Sequence, residues 1–122
     1  MATLTTKLSI AGTGLTSNQL AININDLLSV TTPHVGLSKL SVATGSASVL
    51  VASSVSAATY VYIRNTEAAG GNFVTLETDG TEDWGRLEAD NWAFFPVAPS
   101  VGLQVRSDTA SVVIEYAIFQ RP

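Results

Sequence analysis

The chain has 122 residues, no cysteine and a formal net charge of −4. That length reads as one domain with a core large enough to fold without staples. The lack of cysteine excludes a disulfide framework, a thiolate zinc site and a cysteine nucleophile, and the acidic balance argues against direct nucleic-acid binding. Only 13% of residues are charged, about half the usual share. Residues 1–63 hold just Lys7, Asp26 and Lys39, so that half presents a Ser/Thr/Ala/Val surface of the kind neighbouring subunits can cover.

Residues 1–9 lack the apolar segment of a signal peptide. Leu8 and Ile10 alternate with Lys7 and Ser9, which predicts an opening strand ended by Gly12-Thr13-Gly14. Residues 1–12 are expected to form an N-terminal arm on a single β-sandwich domain spanning 1–122. Leu20, Ile22 and Ile24 alternate with Ala21, Asn23 and Asn25. A helix capped at Ser17 competes there, but the β-branched residues and two Asn favour strand. Thr31-Thr32-Pro33 predicts a break. Val35, Leu37, Leu40 and Val42 show period two with a slip at Ser38-Lys39, which predicts a β-bulge.

Residues 49–52 predict a short strand. The apolar run 49–58 is interrupted by Ser53, Ser54 and Ser56 and is too short to cross a bilayer, so no membrane partner is expected. Thr59-Tyr60-Val61-Tyr62-Ile63 is the strongest strand signal, followed by a loop punctuated by Gly70-Gly71. Residues 73–77 predict a strand and 78–81 a turn. Trp84, Arg86 and Glu88 alternate with Gly85, Leu87 and Ala89. Ala89-Asp90-Asn91 reads as a tight turn, and residues 92–95 as a returning strand stopped by Pro96. Residues 84–96 are therefore expected to form an aromatic hairpin. Leu103 with Val105, then Val112 to Ile118, predict the last strands, the final one apolar on both faces and hence central or covered on both sides. Nine or ten short strands with turn signals about every ten residues imply an all-β sandwich or barrel, and the expected fold is an antiparallel β-sandwich, jelly-roll-like.

Candidate chemistry is sparse. His34 is the sole histidine, beside Pro33, and reads as a polar loop residue. Asp79-Gly80-Thr81-Glu82-Asp83 offers oxygens to a cation but lacks EF-hand spacing. Glu88 and Asp90 flank a turn, with no cleft implied for paired carboxylates. There is no G-x-S-x-G, and Gly12-Thr13-Gly14 lacks the rest of a phosphate loop. No catalytic residue, cofactor or metal is expected. The aromatics remain. Tyr60 and Tyr62 share one strand face, whereas Phe94 and Phe95 point to opposite faces, so part of the aromatic area lies outside a single core layer. Tyr60, Tyr62, Trp84, Trp92, Phe94 and Phe95 are the expected interface residues, with one tryptophan in the core and one near the interface.

Four stretches, Y60-V-Y-I-R-N-T66, F73-V-T-L-E77, W84-G-R-L-E-A-D-N-W-A-F-F-P96 and V113-I-E-Y-A-I-F119, resemble small virion structural proteins of tailed bacteriophages. The resemblance covers the C-terminal half, and it departs from the family at the turn, where Ala89 and Asp90 stand in place of the usual Gly. Within that group the chain resembles capsid decoration (cement) proteins. The resemblance implies a β-sandwich or jelly-roll unit, a homotrimer, and the major capsid protein as partner on the virion surface. A tail, neck or baseplate fibre component is the alternative in the same group. A carbohydrate-binding β-sandwich stacking sugars on Trp84 or Trp92 is the alternative outside it.

Overall fold

A computed structural model of the chain describes residues 2–14, 20–31, 33–79 and 82–122, with the backbone alone at 33–35. Ten strands occur in it: β1 (Ala2–Gly12), β2 (Leu20–Val30), β3 (Pro33–Val42), β4 (Ser48–Val51), β5 (Thr59–Asn65), β6 (Val74–Glu77), β7 (Asp83–Leu87), β8 (Trp92–Val97), β9 (Leu103–Ser107) and β10 (Val112–Gln120). The period-two segments all become strands, including 20–30, where helix competed. The Ser17 cap lies outside the described residues, as do Thr32 of the expected break and Gly80-Thr81 of the expected turn and cation loop.

Eight strands make two four-stranded antiparallel sheets, ordered β3-β10-β5-β8 and β4-β9-β6-β7. The pairs β3–β10, β4–β9, β5–β8 and β6–β7 are those of one long hairpin rolled up on itself, the topology of a jelly roll. Val61 and Ile63 of β5, Ile114 and Ile118 of β10, Val74 and Leu76 of β6 and Val105 of β9 fill the space between the sheets. As its two apolar faces predict, β10 is central, between β3 and β5.

Four local expectations are corrected. Residues 84–96 are not a hairpin: β7 pairs with β6 and β8 with β5, in different sheets. The turn between them is closed by the Asn91 N–H donating to the Glu88 carbonyl (3.0 Å), with Asp90 at φ 66°, a left-handed conformation that Asp tolerates. The turn chemistry was legible, but it joins sheets rather than neighbouring strands. Pro96 does not stop β8, because β8 is an edge strand and a missing N–H there breaks no ladder. His34 lies in β3, not in a loop. The bulge, expected at Ser38-Lys39, falls between Ser38 and Val35, where the pairing with β10 slips.

The arm is larger than 1–12. β1 pairs with β2 along its whole length, from Ala2↔Val30 to Gly12↔Leu20, and with no other strand. Alternation puts Leu4/Leu28, Leu8/Ile24 and Ile10/Ile22 on one face as cross-strand apolar pairs, interrupted by Thr6/Asp26, and Thr3/Ser29, Lys7/Asn25 and Ser9/Asn23 on the other, together with Thr5 and the exposed Leu27. The arm is thus an amphipathic two-stranded ribbon. Its base is tied to the end of β10, where the Thr31 N–H donates to the Gln120 carbonyl (3.0 Å).

Candidate assembly interface

Strand parity sets which aromatic side chains share a surface. On β8, Ala93, Phe95 and Val97 point into the core, so Trp92, Phe94 and Pro96 point outward. On β5, Val61 and Ile63 are buried, so Tyr60, Tyr62 and Arg64 point outward beside them. The register sets Tyr62 opposite Phe94 and Arg64 opposite Trp92. The Tyr60 and Phe94 rings stack at 5.8 Å with 12° between planes, and the Arg121 guanidinium lies 5.4 Å from the Tyr60 ring centroid.

Four of the six expected residues, Tyr60, Tyr62, Trp92 and Phe94, therefore lie together on the outer face of the first sheet. Phe95 does not: it points inward and packs against the core. Trp84 does not either. It belongs to the second sheet and meets Phe95 edge-on, at 5.2 Å and 86°. The expected division into one core and one surface tryptophan is also corrected, since Trp84 is 52% exposed and Trp92 58%. Both stand on edge strands of the sandwich, where a large ring has neighbours on one side only.

Polar groups brace this face. The Tyr62 hydroxyl donates to Glu115 Oε1 (2.9 Å), and partial burial together with that carboxylate raises the phenol above its usual 10.0. Arg64 pairs with Asp90 at 2.6 Å, and that carboxylate raises the guanidinium further. Under the adjoining loops Asn65 is fully buried. Its Nδ2 donates to the carbonyls of Asn72 (2.9 Å) and Leu87 (3.2 Å), and its Oδ1 accepts from the Glu67 N–H (3.0 Å). On the second sheet the buried Glu77 carboxylate accepts from Gln104 Nε2 at 3.0 Å and lies 3.4 Å from Arg106 Nε. Glu77 thus belongs to a packed polar cluster, apart from the exposed Asp79, Glu82 and Asp83. Among the described residues no group of three or more His, Cys, Asp or Glu is placed to hold a metal ion.

The arm lies over the aromatic face. Its base, at Leu27 to Ser29, lines a groove with Tyr60 and Gln120. Further out, Thr6, Leu8 and Ile24 line a groove of about 280 Å³ with Trp92 and Phe94. The ribbon thus runs diagonally from the end of β10 to the far end of the edge strand β8. Leu4 and Leu28 are half-buried, whereas Leu8, Ile10, Ile22 and Ile24 are exposed. These four, with Leu27, Leu37, Val49, Val101 and Val113, are exposed apolar residues that sequence reasoning missed. The signal was present: two stretches of equal length and matched alternation, 2–12 and 20–30, are what an amphipathic hairpin requires.

Comparison of the chain with protein-family models, with curated proteins and with solved structures finds no match.

Proposed function

We propose that this protein is a structural component of a tailed-bacteriophage particle, and within it a capsid decoration (cement) protein. It assembles as a homotrimer on the virion surface and bridges capsomers by binding the major capsid protein. The observation that carries the reading is the arm, whose outer apolar pair Ile10/Ile22 stays exposed beyond the groove that Leu8 and Ile24 line with Trp92 and Phe94. Such a ribbon gains free energy when a further apolar surface covers it. The outer face beneath it joins Tyr60, Tyr62, Trp92 and Phe94 with Arg64 and Arg121, and aromatic residues and Arg are the types that interfaces enrich. The resemblance of residues 60–66, 73–77, 84–96 and 113–119 to phage virion proteins supplies the class of partner. The action is physical: a protein that binds only the assembled shell shifts its equilibrium towards assembly, and linked copies multiply weak contacts.

The test is sedimentation of purified protein with genome-filled heads that lack it. Saturable binding, a fixed number of copies per capsomer and a rise in the temperature at which heads open are expected. Protein left in the supernatant at saturating concentration contradicts the reading, and binding to tails alone transfers it to a tail component.

One observation favours a second reading. Exposed Trp84 lines a groove on the second sheet with Phe73, Thr75, Asp83 and Arg86, an aromatic platform beside polar groups that suits a sugar ring. A saccharide-dependent change in tryptophan emission, lost in Trp84→Phe, would support it.

A further inference from the structure

The ribbon has two open edges. β1 and β2 pair with each other and with no other described strand, so on each of them every second residue turns its N–H and C=O away from the ladder. Such an edge is a template for strand addition, and folded proteins blunt it with prolines, bulges or short strands. The four edges of the sandwich are blunted in these ways. β8 carries Pro96, and β3 opens on Pro33 and slips against β10. β4 has only four residues, and β7 has five, with Trp84 unpaired in its ladder with β6. The ribbon edges have none of these devices. Each strand is eleven residues long, with an unbroken register, no proline and a single charge, Lys7 on β1 and Asp26 on β2.

We propose that the ribbons of neighbouring copies join edge to edge. The outer edge of β1 in one copy adds antiparallel to the outer edge of β2 in the next, again with Leu4 opposite Leu28, Leu8 opposite Ile24 and Ile10 opposite Ile22. This deepens the assembly reading above and rests on it for self-association, but not for the head as partner.

Three observations select a second copy in this register. The chain's own ladder shows that β1 and β2 fit each other over all eleven residues. In an antiparallel pair, residues that face away from the ladder on one strand lie opposite those that face away on the other, so the same register serves the outer edges. The alternatives are worse matched. Full-length pairing of β1 with β1 sets Lys7 opposite Lys7, and of β2 with β2 sets Asp26 opposite Ile24. Like charges directly opposite destabilise a sheet, and a carboxylate beside an apolar side chain loses solvation. Pairing β1 with β2 has neither fault. Finally, an eleven-residue antiparallel pair makes about ten main-chain hydrogen bonds, the number of a specific interface, and it lifts the ribbon beyond two strands, where hairpins are marginal. Because the joined edges differ, the contact is head-to-tail, and a closed ring leaves no ribbon edge open.

The chain has no cysteine, so introduced thiols report contacts without background. Ser9 and Asn23 lie opposite each other on the exposed polar side of the ribbon. Ser9→Cys protein is mixed with Asn23→Cys protein under mild oxidation. Ser9→Cys mixed with Ser29→Cys, about 20 Å along β2 from Asn23, is the control for register. The expected result is a mixed disulfide dimer several-fold more abundant in the first mixture. Light scattering of the wild-type chain should give a multiple of 12.7 kDa. The Ser9→Cys/Asn23→Cys chain, isolated with its own disulfide closing the hairpin, should keep that mass, because edge addition leaves the hairpin shut. Equal cross-linking in both mixtures overturns the proposal, as does a monomeric wild-type chain. A locked chain that turns monomeric also overturns it, since copies would then be exchanging strands. A monomer that still decorates heads would remove this contact and leave the head reading standing; in-register linkage in a chain that ignores heads would do the reverse.

Discussion

The Trp84 ring meets the Phe95 ring edge-on, 5.2 Å between centroids, although Trp84 stands in one sheet and Phe95 in the other. The pair closes the open side of the sandwich where edge strands β7 and β8 approach. Edge-to-face pairs contribute beyond their buried area, and half of the Trp84 surface is covered. Trp84→Ala should therefore cost about 1–2 kcal/mol, less than the ~3–5 kcal/mol of a fully buried tryptophan. Chemical denaturation of the variant checks this.

Trp92 makes the contrasting case. It faces outward beside the arm, 58% exposed. Trp92→Ala should leave the melting temperature of the fold nearly unchanged and weaken assembly, because tryptophans are over-represented among residues that dominate binding. Thermal melting and light scattering of the same sample separate the two effects. A large fall in Tm would place the ring in the folding core instead.

Asn65 is expected to matter most among the polar residues. Its amide satisfies two main-chain carbonyls and one N–H from three segments, and it is fully buried. Asn65→Ala strands those groups away from water and should cost about 3 kcal/mol. Asn65→Asp should also destabilise, more as pH rises, since a carboxylate cannot donate to the carbonyls of Asn72 and Leu87. Urea titration at two pH values tests both variants.

Tyr62 sets a second pH dependence. Burial and Glu115 raise its folded-state pKa above the usual 10.0, so the neutral phenol is favoured in the fold. Its contribution is fully present below the unfolded pKa and is lost as pH rises through the folded value. The Tm difference between wild type and Tyr62→Phe should be present at about pH 8 and shrink by about pH 11. A difference independent of pH would mean that the Glu115 hydrogen bond contributes nothing.

The arm and the sandwich should separate. β1 and β2 pair only with each other, so deleting residues 2–29 removes nearly all of that sheet, keeps the buried Val30 and leaves every sandwich ladder intact. The remainder should melt cooperatively within ~4 °C of the full chain and fail to self-associate. Deleting 2–8 alone is the poorer test, because it strands much of β2 as an unpaired edge.

Much of the fold was legible because half-buried strands alternate, and the segments around Leu8, Ile22, Tyr60 and Ile114 alternate cleanly. Pairing was less legible. The turn at Asp90 has the chemistry of a hairpin turn, but nothing local says that β7 and β8 belong to different sheets; that follows from long-range pairings such as Tyr62 with Phe94 and Val74 with Ser107. Parity gave Tyr60 and Tyr62 one face and split Phe94 from Phe95, but that Phe94 joins the tyrosines follows only from the pairing of β5 with β8. The exposure of Trp84 and Trp92 did not, since it depends on which strands end up at sheet edges. The arm was half seen, as 1–12 rather than 2–30, because a low-charge Ser/Thr strand signals poorly which partner it takes.

The most direct test of the account is a three-dimensional reconstruction of the phage particle that contains this protein. The account predicts jelly-roll density on the outer surface of the head, at junctions between capsomers, with the 2–30 ribbon of each copy reaching a neighbour. The same fold confined to the tail or baseplate, or absent from the particle, would contradict it.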